Sequence, residues 1–248
     1  MLKVRLIPVM TFNGISLVKT KQFTNSRTLG NPIQVARVYN SRNVDELVFI
    51  DIKATEQSRK INLPLVKKVI DECFMPVTIG GGINTFEDIN DLLGIGADKV
   101  LIKSKALLDP DFIVKAVDYF GSQCISVSVD VIFDNGEYWI YQKNDKKLLM
   151  ETFINKMDLC NVGEFVVNAV NNDGMMNGFD KELYQKVTQI TSKPIVAIGG
   201  AGIPSHFTDL VQTNYNGALA AASIYHFTQY TPQEIKKTLN KAKIPVRI

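Results

Sequence analysis

Three aspartates stand at or just past the ends of short β-branched runs: Asp51 in DELVFIDI, Asp130 in ISVSVDVI and Asp173 in NNDGMMNGFD. A carboxylate at such a place moves protons in either direction when partial burial lifts its pKa toward neutrality. Asp130 therefore reads as an acid/base group or as the anchor of the segment after it. Asp51 and Asp173 are placed to hold substrate hydroxyls or to orient Lys19, which follows the first run. Two glycine clusters, Gly80-Gly81-Gly82 and Gly199-Gly200-Ala201-Gly202, each precede a serine, Ser104 and Ser223. Bare N–H groups at a helix start hold a phosphate without a side-chain charge; tight turns are the simpler use of the same glycines. Lys103 adds a charge to such a site or is a solvated lip residue. Two clusters imply a substrate with a phosphate at each end, and one phosphorylated end is the fallback.

Other chemistry finds less support. His206 and His226 lie 20 residues apart with no organised carboxylate set between them, so both read as packed or capping, and neither a metal nor a cofactor is expected. Asp109, Asp111 and Asp118 read as solvent-side charge. Cys73, Cys124 and Cys160 are odd in number and set in apolar contexts, which suits buried thiols in a reduced, cytoplasmic setting. The net charge is +3, and Lys146-Lys147 and Lys236-Lys237 lack interleaved aromatics, so nucleic acid is not an expected partner. No apolar run approaches the roughly 20 residues of a membrane span.

The elements that must position these groups alternate along all 248 residues. Strands are expected at Val4 to Met10, Leu47 to Ile52, Pro76 to Ile79, Lys99 to Ile102, Cys124 to Val129, Glu164 to Val170, Pro194 to Ile198 and Gly217 to Ala221. Amphipathic helical patterns fall between and after them, for example LPLVKKVIDECF and PDFIVKAVDYFG. Eight such units predict an α/β protein, a (β/α)8 TIM barrel in one domain spanning 1–248. A doubly wound sheet is the alternative, but no G-x-G-x-x-G follows the first strand. PVTIGGGINTFEDINDLL pairs with PIVAIGGAGIPSHFTDLV at a spacing of about 119 residues, the mark of a duplicated half-barrel. The one evident insertion, VIFDNGEYWIYQ, is a hairpin after strand five, turning at Asp134-Asn135-Gly136.

Strand parity puts Arg5, Ile7, Val9 and Thr11 on one face, with Arg5 and Thr11 about 20 Å apart. Glu46, Lys99 and Glu164 open strands two, four and six in the same way. If these faces point inward, two cations and two carboxylates converge at the barrel bottom, either as a satisfied plug or as a gate over an axial passage.

Taken together, DELVFIDI, TIGGGI, GADKVLI, FGSQC, NNDGMMNGFD, IGGAG, AAASIYHF and IPVRI resemble the cyclase subunits of imidazole glycerol phosphate synthase over essentially the whole chain. The resemblance implies a glutaminase partner on the bottom face, docked beside Asp98. It also implies an ammonia gate of Arg5, Glu46, Lys99 and Glu164, and a bisphosphorylated ribulosyl substrate at the mouth. The family's phosphate contacts fall on Gly82 and Ser104 at one end, and on Asp173, Gly174, Gly200, Ala222 and Ser223 at the other.

The catalytic end departs from the family pattern. Thr11, in VMTF, stands where the family has a catalytic aspartate, and threonine is no acid or base near neutral pH. Lys103 replaces an asparagine, Ile132 and Phe133 replace basic residues, and Asn144-Asp145 and Leu149-Met150 replace small polar pairs around the hairpin. Asp130 remains. The gate is complete while the chemistry is altered, and this points to a paralogue that supplies ammonia to a third enzyme, a sugar amidotransferase. An active cyclase with a changed acid/base arrangement, and an isomerase-like or scaffold barrel, are the other readings.

Overall fold

In the computed structural model, which describes residues 3–142 and 148–247, each of the eight expected runs is a strand. Asn144, Asp145, Lys146 and Lys147 lie outside the described residues. The chain runs β1 (Leu6–Phe12), β2 (Leu17–Lys21), β3 (Thr24–Gly30), α1 (Pro32–Ser41), β4 (Leu47–Asp51), α2 (Leu63–Ile70), β5 (Val77–Gly80), α3 (Phe86–Gly94), β6 (Lys99–Ile102), α4 (Ser104–Leu108) and α5 (Pro110–Phe120). It continues through β7 (Ile125–Asp134), β8 (Glu137–Ile140), α6 (Met150–Leu159), β9 (Glu164–Ala169), α7 (Lys181–Ile190), β10 (Ile195–Ile198), α8 (Pro204–Val211), β11 (Ala218–Ala221), α9 (Ser223–Phe227) and α10 (Pro232–Lys241). Strands β1, β4, β5, β6, β7, β9, β10 and β11 pair in parallel in that order, and β11 returns to β1, closing a (β/α)8 barrel. No helix among the described residues is long and apolar enough to cross a membrane.

Local signals set the helix ends. Proline in the first turn of α1, α2, α5, α8 and α10 removes an N–H that would otherwise lack an acceptor. Thr85 and Thr231 form reciprocal capping boxes with Asp88 and Glu234. Asp109, expected as plain solvent-side charge, accepts from the Phe112 N–H and caps α5; Asp111 and Asp118 are exposed.

Alternation along the strands divides the core in two. Outward side chains such as Phe12, Phe49 and Phe165 pack beneath the helices. Inward ones, Ile7, Val9, Val48, Leu101, Val166, Val196, Ile198, Ala218 and Ala220, fill the lumen. The half-barrel duplication is visible in paired details: α4 and α9 are five-residue helices following the fourth and eighth barrel strands. Gly81 and Gly200, with φ of 110° and 98°, sit where a Cβ would run into the carbonyls of Asp51 and Gly178.

Three features differ from expectation. The fifth barrel strand does not stop at Val129 but continues to Asp134 as one arm of the insertion. The other arm, β8, returns through a two-residue turn with positive φ at Asn135 and Gly136, the type I′ geometry that Asn-Gly favours. The insertion is not the only hairpin. Strands β2 and β3 form a second one after β1, and it reaches across the mouth: the Gln22 N–H donates to the Asp173 carbonyl. The third difference is Lys236, which the sequence sets beside Lys237 in a short basic cluster. It is buried, with its Nζ 2.7 Å from Asp45 Oδ1 and 2.9 Å from the Asn43 carbonyl, while Asp45 Oδ2 accepts from the Leu6 N–H. This pair fastens α10 to the floor of the barrel.

Both histidines are packed or capping, as expected. His206 Nδ1 accepts from the Gly202 N–H, and His226 lies against Tyr39 with Nε2 3.4 Å from its hydroxyl. Burial, reinforced by the Lys19 charge, pushes His226 down from 6.5 to about 4.

Two outcomes are expected. Lys236→Met leaves Asp45 buried with one backbone donor, and urea unfolding at neutral pH should show a loss of about 3 kcal/mol. His226 enters the fold neutral, so its contribution is complete above pH 6.5 and is lost as pH falls toward 4. His226→Phe should flatten the acid side of the stability profile by on the order of 3 kcal/mol across that window, read from urea midpoints at successive pH values.

Candidate active site and axial passage

Arg5, Glu46, Lys99 and Glu164 meet at the barrel floor in a closed ring. Arg5 places one guanidinium nitrogen 2.5 Å from Glu46 and another 2.5 Å from Glu164. Lys99 Nζ lies 3.0 Å from Glu164 and 3.4 Å from Glu46. Each carboxylate thus receives both cations, and the ring is electrically neutral. Burial alone would lower the Arg5 pKa, but Glu164 and Glu46 outweigh it and raise it. Arg5 keeps 30% of its side chain accessible from below, against 7% for Glu164. Asp98 is exposed on the same face, with one carboxylate oxygen accepting the Val77 N–H.

At the opposite end the strands open into a cavity of about 650 Å³. Its wall gathers Thr11, Lys19, Asp51, Gly82, Lys103, Ser104, Asp130, Asp173, Gly174, Gly200, Ala222 and Ser223. The duplication brings two sets of residues to this wall, Gly82 with Ser104 and Gly200 with Ala222 and Ser223. The Ser223 hydroxyl is buried without a hydrogen-bond partner among the described residues.

The three carboxylates are each matched to a cation, and one pairing corrects the expectations. Asp51 does not orient Lys19 and meets Arg59 instead. Its fully buried carboxylate takes a bidentate Arg59, at 2.6 and 2.9 Å, together with the N–H groups of Lys53 and Ala54. Lys103 lines the cavity, with its Nζ 2.6 Å from Asp130 Oδ2 and 5.6 Å from the centre of the Tyr141 ring. Lys19, carried by β2, lies 2.7 Å from Asp173 Oδ1. Burial raises the Asp173 pKa, the Lys19 charge and hydrogen bond oppose it, and the Asp130 charge adds to the rise. The Thr11 hydroxyl donates to the Val18 carbonyl, so it is engaged by the hairpin.

The distance between the ring and the cavity is short. The cavity floor is formed by Val9, Ile50, Leu101, Ser128, Val166 and Ile198. Strand register places Val48 beside Thr78, Thr78 beside Lys99, and Ser126 beside Glu164. A single layer containing Ile7, Val48, Thr78, Ser126 and Val196 therefore separates floor from ring.

The sequence reading missed Arg59, Tyr141 and Asn168. Arg59 lies eight residues past Asp51 in a polar loop that carries no spacing rule. Asn168 pairs in register with Asp130 and lines the cavity, and its Oδ1 is buried without a partner among the described residues. Inward parity on the sixth barrel strand was the available signal for it.

The family described as histidine biosynthesis protein matches residues 5–231. The imidazole glycerol phosphate synthase subunit HisF of Staphylococcus saprophyticus is 37% identical over 254 residues, covering all of both chains. Putative subunits hisF2 of the same synthase are 39% identical in Campylobacter jejuni, over all of both chains, and in Vibrio vulnificus, over all of this chain and 92% of the relative. With the closed barrel, the duplicated half and matches along its whole length, the chain belongs to the histidine biosynthesis protein family and is of the imidazole glycerol phosphate synthase cyclase-subunit type.

Proposed function

We propose that the chain is the ammonia-receiving subunit of an imidazole glycerol phosphate synthase. On this reading a glutaminase docks at the bottom face beside Asp98, and ammonia passes the ring to the mouth. There it converts a bisphosphorylated ribulosyl-formimino compound to imidazole glycerol phosphate and an aminoimidazole carboxamide ribotide. The observation that carries the reading is coaxial placement: a neutral four-charge ring on the axis, one side-chain layer below a cavity whose wall carries both glycine and serine clusters. A stability plug needs no such cavity above it, and a phosphate-binding barrel needs no such ring below it.

The roles at the mouth follow from the contacts. Gly82 and Ser104 hold one phosphate, and Gly200, Ala222 and Ser223 hold the other, with the unpartnered Ser223 hydroxyl as donor. Asp173, with Gly174, positions Lys19 over the cavity. Asp130 and Lys103 form the acid/base pair, the carboxylate accepting a proton and the amine returning one, in place of the family's two carboxylates.

A second reading, in which the barrel relays ammonia to a separate sugar amidotransferase, is favoured by one observation. The residue at the family's aspartate position, Thr11, turns its only polar atom into the hairpin backbone. One assay series separates the two. The cyclase reading expects turnover of the ribulosyl bisphosphate with ammonium salt alone, a fall of roughly 10²–10⁴-fold in Asp130→Asn, and a gain of at least tenfold in Thr11→Asp. The relay reading expects no turnover by the unmodified chain, with glutaminase activity still stimulated on complex formation. Failure to bind any glutaminase would overturn both.

A further inference from the structure

The layer between ring and cavity contains a polar atom that the fold leaves unsatisfied. Ser126 has no exposed surface, and its hydroxyl has no hydrogen-bond partner among the described residues. Buried hydroxyls in native interiors are nearly always paired, so an orphan marks a place where a small polar molecule completes the bonding. Its position is specific. Ser126 stands in register with Glu164 of the ring on one side and with Leu101 of the cavity floor on the other. Two residues along the same inward face is Ser128, whose Oγ is 3.5 Å from Asp130 Oδ1. Strand β7 therefore presents a polar group about every 6.6 Å from the ring toward the acid/base pair. Strand β11 presents only Ala218 and Ala220 to the same lumen, leaving that wall without bulk.

We infer that the Ser126 hydroxyl is a stepping site for one molecule of ammonia between the ring and the cavity. The inference rests on the proposed function and adds to it the residue that makes the packed layer crossable. Ammonia suits the site because it is small, both donates and accepts, and crosses as a neutral molecule. Ammonium would carry an unpaired charge into an apolar layer.

The experiment uses the complex with its glutaminase, supplied with amide-¹⁵N glutamine, unlabelled ammonium salt and the ribulosyl bisphosphate. Mass spectrometry then reads the ¹⁵N fraction of the product. Ser126→Ala keeps the space and removes the hydroxyl, so the labelled fraction should fall several-fold while turnover on ammonium salt alone is unchanged. Ser126→Thr restores the hydroxyl and should restore the label. An unchanged labelled fraction in Ser126→Ala overturns the inference, as does equal loss in Ser126→Thr, which would assign the effect to packing. A wild-type complex whose product carries no label tells against the proposed function itself, and this inference falls with it.

Discussion

A carboxylate that leaves water for the floor of a barrel must find cations at hydrogen-bond distance or give up its charge. Glu46 and Glu164 each find both Arg5 and Lys99, and the ring closes because two negative and two positive groups arrive level on four different strands. That level meeting is a statement about register. Thr78 pairs with Lys99 and Ser126 with Glu164. A slip of one residue in either pairing would turn the inward charge out beneath the helices. The ring thus rewards one register of the closed sheet, and the mouth residues four to six positions along the same strands take their places from it.

The mouth solves the same electrostatic problem by separate pairs. Asp51, Asp130 and Asp173 meet Arg59, Lys103 and Lys19, one cation each. All three cations come from outside the barrel strands proper: Arg59 from the loop before α2, Lys19 from the hairpin that lies across the opening, and Lys103 from the residue between β6 and α4. The pairs differ in how fully they are tied. Asp51 has four donors and serves the architecture. Asp130 has Lys103 and a long contact to Ser128, which leaves it acceptor capacity at the cavity wall.

These differences explain what was legible in the sequence. Parity along RLIPVMT was sufficient to place Arg5 and Thr11 on one inward face, and the same rule found Glu46, Lys99 and Glu164, because a buried strand exposes its period of two directly. The glycine clusters were legible because backbone that approaches backbone excludes a Cβ. The β2–β3 hairpin was not, since TNSRTLG is polar and largely exposed in the structure and carries no alternation. Nor was the partner of Lys103: that contact depends on how β6 lies against β7, which pairs Leu101 with Ser126. Lys236 misled for a related reason, because a helical lysine reads as solvated until the helix is docked beside a buried carboxylate.

The two departures at the mouth are best understood together. Relative to the pattern this chain resembles, Thr11 removes a negative charge and Lys103 adds a positive one. Asp51, Asp130 and Asp173 at this mouth each face one cation, Arg59, Lys103 and Lys19 in turn. Asp130 is met by the Lys103 amine at one oxygen and by the Ser128 hydroxyl, 3.5 Å away, at the other. The pair of changes gives Lys103 a single partner at 2.6 Å and holds it under the Tyr141 ring. A balanced wall also opposes a doubly phosphorylated ligand less than a negative one does. Thr11 and Lys103 thus shift the charge of the mouth in one direction, toward positive, while Ile132 and Phe133 shift it in the other.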